Sequence, residues 1–251
     1  MSNTERFTGR VANYDRYRQR YPAAEVLKLL QHWCGLQPGW IVADIGAGTG
    51  MLAEVFLANN NPVIAIEPNR EMRAPCEQLV SSWPRLTVLE GSAEATGLPP
   101  ASVDLVAAGR AFHWFNVPLA LAEFRRILRP GGWMLLISLG RSQVNDEQSR
   151  AFERLLLAHA IDPNYRGSGY RVHQNMQDLF ASDYQEAQIH GEEHLDWDAL
   201  LGSALSFSVT PNEDSPGYPA FVEALRSHFD TYAVAGKITM PTTCWVTAGR
   251  L

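Results

Sequence analysis

Residues 41–50 read IVADIGAGTG, and few backbone arrangements accommodate such a run. Ile41, Val42, Ala43 and Ile45 make a short apolar stretch suited to a strand buried on both faces. Gly46, Gly48 and Gly50 then alternate with small residues, and 51–58 has the composition of a helix. The expectation is a strand, a glycine turn and a helix. Glycine admits positive φ and lacks the Cβ that would hold a ligand away from the backbone. The helix start adds unpaired N–H groups and the positive end of a dipole.

Two ligand classes suit this turn, and a purely structural turn of some other α/β protein remains a third reading. A dinucleotide fingerprint places G-x-G-x-x-G after the strand, with an acid about 20 residues on. Here the glycines fall at every second residue, position 51 is Met, and Asp44 stands at the strand's end. A carboxylate there is unfavourable beside a pyrophosphate and favourable beside an ammonium or sulfonium. Residues 61–67, NPVIAIE, read as a second short strand ending in Glu67, with Pro68 and Asn69 starting the next turn. A carboxylate at that point can accept from both hydroxyls of a ribose.

Three more blocks follow in order: GSAEATGLP at 91–99, VDLVAAGRAFHWF at 103–115 and EFRRILRPGGWMLLI at 123–137. With VADIGAGTG and AIEPN they resemble the class I S-adenosylmethionine-dependent methyltransferases. Within that family the chain looks like the small-molecule, type 11-like branch and is similar to the trans-aconitate methyltransferases. The resemblance implies an α/β fold: a Rossmann-like, seven-stranded, mostly parallel sheet of order 3-2-1-4-5-7-6, with helices on both faces and an inserted cap. It implies S-adenosyl-L-methionine as cofactor, held by Tyr14, Arg18, Asp44, Gly46, Ala47, Gly48, Gly50, Glu67, Pro68, Ser92, Ala93, Glu94 and Gly109. Residues 92–94 would border the adenine. The Glu94 carboxylate either accepts from the exocyclic amine or caps the 93–96 turn.

Residues 7–22, FTGRVANYDRYRQRYP, space Tyr14, Tyr17 and Tyr21 so that a helix would put them on one face. That face either docks the segment on the core or forms a lid over the cofactor. The segment resembles the family's Y…YRP-x-YP lid, with Gln19 standing where proline is usual. Ala23–Cys34 has a helical period, stopped by Gly35. Helices are also expected over 70–82 and 118–128, and strands over 86–89, 103–108 and 133–139, with Arg129 to Gly132 a stop and turn. From Gly140 the pattern changes. Helix is expected over 151–160, irregular chain over 162–171, a short helix over 174–180 and a strand over 184–195. Helices over 197–206 and 217–229 and an antiparallel strand over 242–249 complete the chain. The organisation expected is a single methyltransferase domain over 1–251. It has a helical lid at 7–34, a cofactor-binding core at 35–139, a variable substrate cap with the sixth strand at 140–215, and a closing helix and strand at 216–251. GSALSFSVTP at 202–211 resembles the branch's S-x-S segment, here Ser206 and Ser208.

The formal net charge is -6 and the basic residues are dispersed, which argues against a nucleic-acid surface. Cys34, Cys76 and Cys244 are odd in number and far apart, and the histidines show no metal spacing, so no disulfide framework and no metal is expected. No apolar run is long enough to span a bilayer, and MSNTERFTGR lacks the apolar core of a secretory signal. A cytoplasmic monomer or homodimer is expected.

Methyl transfer is an in-line displacement, so alignment and water exclusion are the protein's main tasks. A base is needed only where the nucleophile arrives protonated. His113 and Tyr21 are the catalytic candidates, His113 because its pKa range suits proton transfer near neutrality. A histidine between Phe112 and Trp114 equally suits a loop or ring-stacking role. Arg110, Trp114, Arg166, Tyr170 and Arg171 are the substrate-binding candidates. The reaction expected is transfer to an O or N atom of a small acidic or zwitterionic molecule, a carboxylate included. Intramolecular chemistry on the same sulfonium and a catalytically silent binding scaffold share the same loop, and an NAD-dependent oxidoreductase is the more distant alternative.

Overall fold

The structure, a computed structural model, describes residues 10–142, 146–165, 167 and 176–251. Four short apolar runs form parallel strands: β1 (Val42–Ile45), β2 (Val63–Ile66), β3 (Leu86–Leu89) and β4 (Val103–Gly109). β5 (Leu128–Arg141) extends them in parallel. β7 (Ile238–Arg250) inserts antiparallel between β5 and β6 (Ser182–Leu195). The order is β3-β2-β1-β4-β5-β7-β6, as the resemblance implied. The strand order reverses between β1 and β4, and ligands of such sheets bind beyond the strand ends at that switch point.

Side chains alternate across the sheet with the period of two that a pleated strand imposes. Along β5, Trp133, Leu135 and Ile137 enter one core while Met134 and Leu136 enter the other. The first core is covered by α2 (Ala23–Cys34) and α3 (Met51–Ala58), the second by α5 (Val117–Ile127). Phe56 and Phe124 are fully buried there, and burying such a side chain contributes roughly 1.5–3 kcal/mol. A third core joins α6 (Glu147–His159), α7 (Trp197–Leu205) and α8 (Tyr218–Tyr232) around Phe152, Leu200, Phe221 and Leu225.

Several boundaries differ from the sequence reading. α4 (Arg70–Leu79) ends earlier than 82, its chain continuing in turns to Trp83. The expected stop at Arg129 to Gly132 is a bulge inside β5, because Val103 faces Leu128 while Leu105 already faces Trp133. α6 begins at Glu147 instead of 151, since Asp146 caps it by accepting from the Ser149 N–H at 2.8 Å. The expected short helix over 174–180 is a 3₁₀ turn at Met176–Leu179 among the described residues.

The three tyrosines do not share a helix face. α1 (Val11–Tyr17) stops at Tyr17, and the chain then extends to bring Tyr21 into the first core. Tyr17 packs on α7 at Gly202, where a Cβ would lie 2.2 Å from its ring. Arg10, just before α1, is buried and donates to the carbonyls of Leu205 and Phe207 at 2.9 Å and of Thr210 at 2.6 Å. The N-terminal segment is thereby tied to the turn after α7. Among the described residues no helix is long and apolar enough to cross a membrane.

Candidate functional site

The glycine turn follows β1 as expected. Gly46, Gly48 and Gly50 all have positive φ, and a Cβ on Gly46 would lie 2.6 Å from that of Ala111. The turn therefore needs glycine for both conformation and close approach. Asp44 is 0% exposed, and neither carboxylate oxygen closes a hydrogen bond among the described residues. Burial pushes its pKa up to about 7, opposed by the Ala53 N–H and aided to a smaller extent by the Glu67 charge. Glu67, at the end of β2, accepts from the Gly48 N–H at 3.0 Å and the Asn69 N–H at 2.8 Å. Burial raises its pKa, and those two N–H groups offset part of the rise. Asn69 in turn caps α4, accepting from Glu71 and Met72 N–H groups.

In the third loop Ser92 bridges Ala95, and Ala93 is buried. Glu94 does not cap its own turn: it accepts from the Asn116 N–H at 2.8 Å, at the start of α5. The 96 position is held instead by Glu123, which accepts from the Thr96 N–H at 2.9 Å. At the end of β4, Gly109 meets the Tyr21 hydroxyl, which would lie 2.6 Å from a Cβ there. Burial raises the Tyr21 pKa, keeping the phenol protonated. Arg110 has φ +56°, a conformation costly for a non-glycine residue and typical of functional loops. Its guanidinium donates to the carbonyls of Leu139 at 3.0 Å and Gln19 at 2.7 Å and covers the Tyr21 ring at 4.9 Å.

Two clefts meet at this point. The first spans about 1030 Å³, its solvent-open mouth included, and is bordered by Asp44, Gly46, Ala47, Gly48, Glu67, Pro68, Ser92, Ala93, Glu94 and Gly109, with Tyr14 and Tyr21. Gly50 shapes the turn from behind and caps α3. The second spans about 1430 Å³, its solvent-open mouth included, and shares Tyr14, Arg110 and Trp114 with the first. Arg18, assigned by the resemblance to the cofactor, borders the second cleft and not the first. His113 likewise borders the second cleft; it is exposed, 4.3 Å from Trp114 between ring centroids, while Phe112 turns into the core. It is therefore not sandwiched between its neighbours: in the 3₁₀ turn at Phe112–Trp114 its ring stays beside Trp114 while Phe112 turns into the core. Arg166, Tyr170 and Arg171 lie outside the described residues. Sequence reasoning missed Arg141 and Phe207, which also border the second cleft; no local pattern marks either.

A doubly wound sheet with a glycine turn, a buried acid within β1 and a second acid directly after β2 defines a Rossmann-like domain. Residues 43–136 match the family model described as a methyltransferase domain. An uncharacterized methyltransferase of Mycobacterium tuberculosis is 34% identical over 131 residues, 52% of this chain and 51% of that protein. One of Schizosaccharomyces pombe is 34% identical over 128 residues, 51% of this chain and 49% of that protein. The chain thus spans about half the length of the curated relatives it matches. A solved structure from Anaeromyxobacter dehalogenans, provisionally assigned as a type II methyltransferase, aligns over 93% of this chain and 98% of its own, with a TM-score of 0.65 and 27% identity. None of these three is named for an acceptor. Over this core the chain is similar to the class I S-adenosylmethionine-dependent methyltransferases. The family's cofactor is S-adenosylmethionine, and the residues present fit it: the orphaned Asp44 carboxylate needs a cationic donor, and the Glu67 oxygens keep lone pairs for hydroxyls.

Proposed function

We propose that the protein is a methyltransferase acting on a small acidic or zwitterionic molecule. The observation that carries the reading is Asp44, fully buried at the first cleft with both oxygens unpartnered among the described residues. An ionised carboxylate kept in that state calls for a donor from a ligand, and an amino acid ammonium supplies one. A pyrophosphate would instead meet the charges of Asp44 and Glu67 together.

In this reading the backbone of Gly46, Ala47 and Gly48 gives the ligand its bed, with Gly50 shaping the turn behind it, and Glu67 and Pro68 take the ribose side. Ser92, Ala93 and Glu94 border the base, while Gly109 and Tyr14 close the opposite wall. When bound, S-adenosylmethionine supplies the activated methyl group. Tyr21, protonated and buried, orients groups at the join of the clefts and excludes water. Arg110 and Trp114, common to both clefts, align the acceptor. His113 is placed to take a proton from an acceptor in the second cleft, and an acceptor already ionised needs no such step. Arg166, Tyr170 and Arg171 are assigned to acceptor selection on the sequence alone.

Calorimetric titration with S-adenosylhomocysteine and with NAD tests the cofactor, and saturable NAD binding with no response to the former refutes it. Incubation with S-adenosylmethionine alone tests the reaction: release of thioadenosine without any acceptor would favour the intramolecular alternative. His113→Ala is expected to leave S-adenosylhomocysteine affinity unchanged while slowing transfer to protonated acceptors.

A further inference from the structure

Three guanidiniums, those of Arg18, Arg110 and Arg141, border the second cleft. Arg141 is committed to Glu153, which accepts from its Nε at 2.9 Å and lies 2.8 Å from its Nη2. Arg110 donates to two carbonyls, has the Tyr14 hydroxyl beside its guanidinium, and keeps Nη1 buried at the cleft. Arg18 pairs with no carboxylate among the described residues; it donates from Nη1 to the Ser206 hydroxyl at 3.3 Å. The other acids nearby are engaged. Glu193 accepts from the Gln19 amide, and Asp162 accepts from the Asn164 N–H.

The Arg18 guanidinium lies 4.9 Å from the centroid of the Phe207 ring and 5.5 Å from that of Tyr14. A guanidinium stacked on rings keeps its donors in its own plane, the arrangement that grips a carboxylate through two parallel N–H···O bonds. Burial, and then the charges of Arg110 and Arg141, bring the Arg18 pKa down to about 10. An anion seated there relieves the repulsion. His113, Trp114, Tyr165, Phe207 and Trp245 contribute aromatic surface to the same cleft. With Arg141 already neutralised, the donors left over suit one carboxylate and not three, and the rings suit a flat apolar body.

We infer that the second cleft takes an acceptor with an aromatic body and a single carboxylate, anchored on Arg18 with Arg110 as second donor. This rests on the methyltransferase reading for the transfer itself, and it makes Arg18 a residue that selects the acceptor. The end of the molecule remote from the carboxylate is then the one presented past Tyr14 and Trp114 to the first cleft.

The test titrates 4-hydroxycinnamate, its amide and trans-aconitate into the whole protein, following tryptophan fluorescence with and without S-adenosylhomocysteine. The acid is expected to bind about tenfold more tightly than the amide, and more tightly than trans-aconitate, as loss of a charged hydrogen bond dictates. Arg18→Gln is expected to remove most of that acid-to-amide ratio and Arg18→Lys to keep part of it, with S-adenosylhomocysteine affinity little changed in both. Should Arg18→Gln not fold, the ratios of the wild type and Arg18→Lys decide. Equal binding of acid and amide, tighter trans-aconitate, an undiminished ratio in the variants, or no binding of the acid would each overturn the inference. Absence of S-adenosylhomocysteine binding strikes the cofactor reading instead, and the titration without it still reads the anion site.

Discussion

Replacing Asp44 by asparagine separates the cost of the site from its use. Burial carries this carboxyl from 3.8 to about 7, so between those values the folded protein holds a proton that the unfolded chain has released. For a group whose folded pKa is raised, that linkage makes stability fall as pH rises through the window and stay low above it. The full displacement corresponds to about 4 kcal/mol at pH 8, and at pH 5 less than half of it has been incurred. The neutral amide would carry its own burial cost, but that cost does not vary with pH. The stability difference, Asp44→Asn minus wild type, should therefore grow by about 2–3 kcal/mol from pH 5 to pH 8. For a protein of this size that is roughly 5–10 °C in relative melting temperature. Affinity moves the other way: Asp44→Asn should bind S-adenosylhomocysteine about 10- to 150-fold more weakly, the effect of a lost charged hydrogen bond. Wild-type affinity should rise with pH through about 7, where the carboxylate is freed. Thermal melts of the ligand-free proteins across pH, with calorimetry of the homocysteine compound, measure both. Parallel melting profiles for the two proteins, or unaltered affinity, would refute the reasoning.

Gly202→Ala should destabilise the protein by about 1–3 kcal/mol through overpacking against Tyr17, read as a lower melting temperature and earlier cleavage near α1; adding Tyr17→Ala should recover much of it. Glu67→Gln leaves one oxygen to serve the two N–H groups now bound at 3.0 and 2.8 Å. It should cost roughly 1–3 kcal/mol of stability and weaken adenosine binding in calorimetry, while an unchanged adenosine affinity would remove Glu67 from the site.

What was legible in the sequence is what local physics dictates. A glycine at every second position, an acid closing each of two short apolar runs, and Gly35 at φ +69° after a helical stretch each declare their role over a few residues. The sheet order came through the resemblance, because nothing in β7 itself says that it inserts beside β5. The tyrosine spacing misled, since a three-and-four period does not reveal that the helix stops at Tyr17 and sends Tyr21 to Gly109. The Arg129 to Gly132 run has the composition of a turn, yet pairing with β4 on both sides absorbs it as a bulge. Arg10 and Arg141 carried no mark in the sequence, and Arg18 was singled out only through the resemblance, because the meaning of each lies in which distant carbonyl, hydroxyl or carboxylate it meets.

The tie from Arg10 to the turn after α7 joins positions 195 to 200 residues apart. During synthesis at about 5–20 residues per second, α1 therefore waits roughly 10–40 s before its partners exist. For about half that time, roughly 5–20 s, β5 presents an open edge, because β7, its neighbour in the sheet, follows about 100 residues later. The nascent chain must hold the strands around the glycine turn without roof or final strand, and that interval is when it is most open to capture by chaperones or by its own copies.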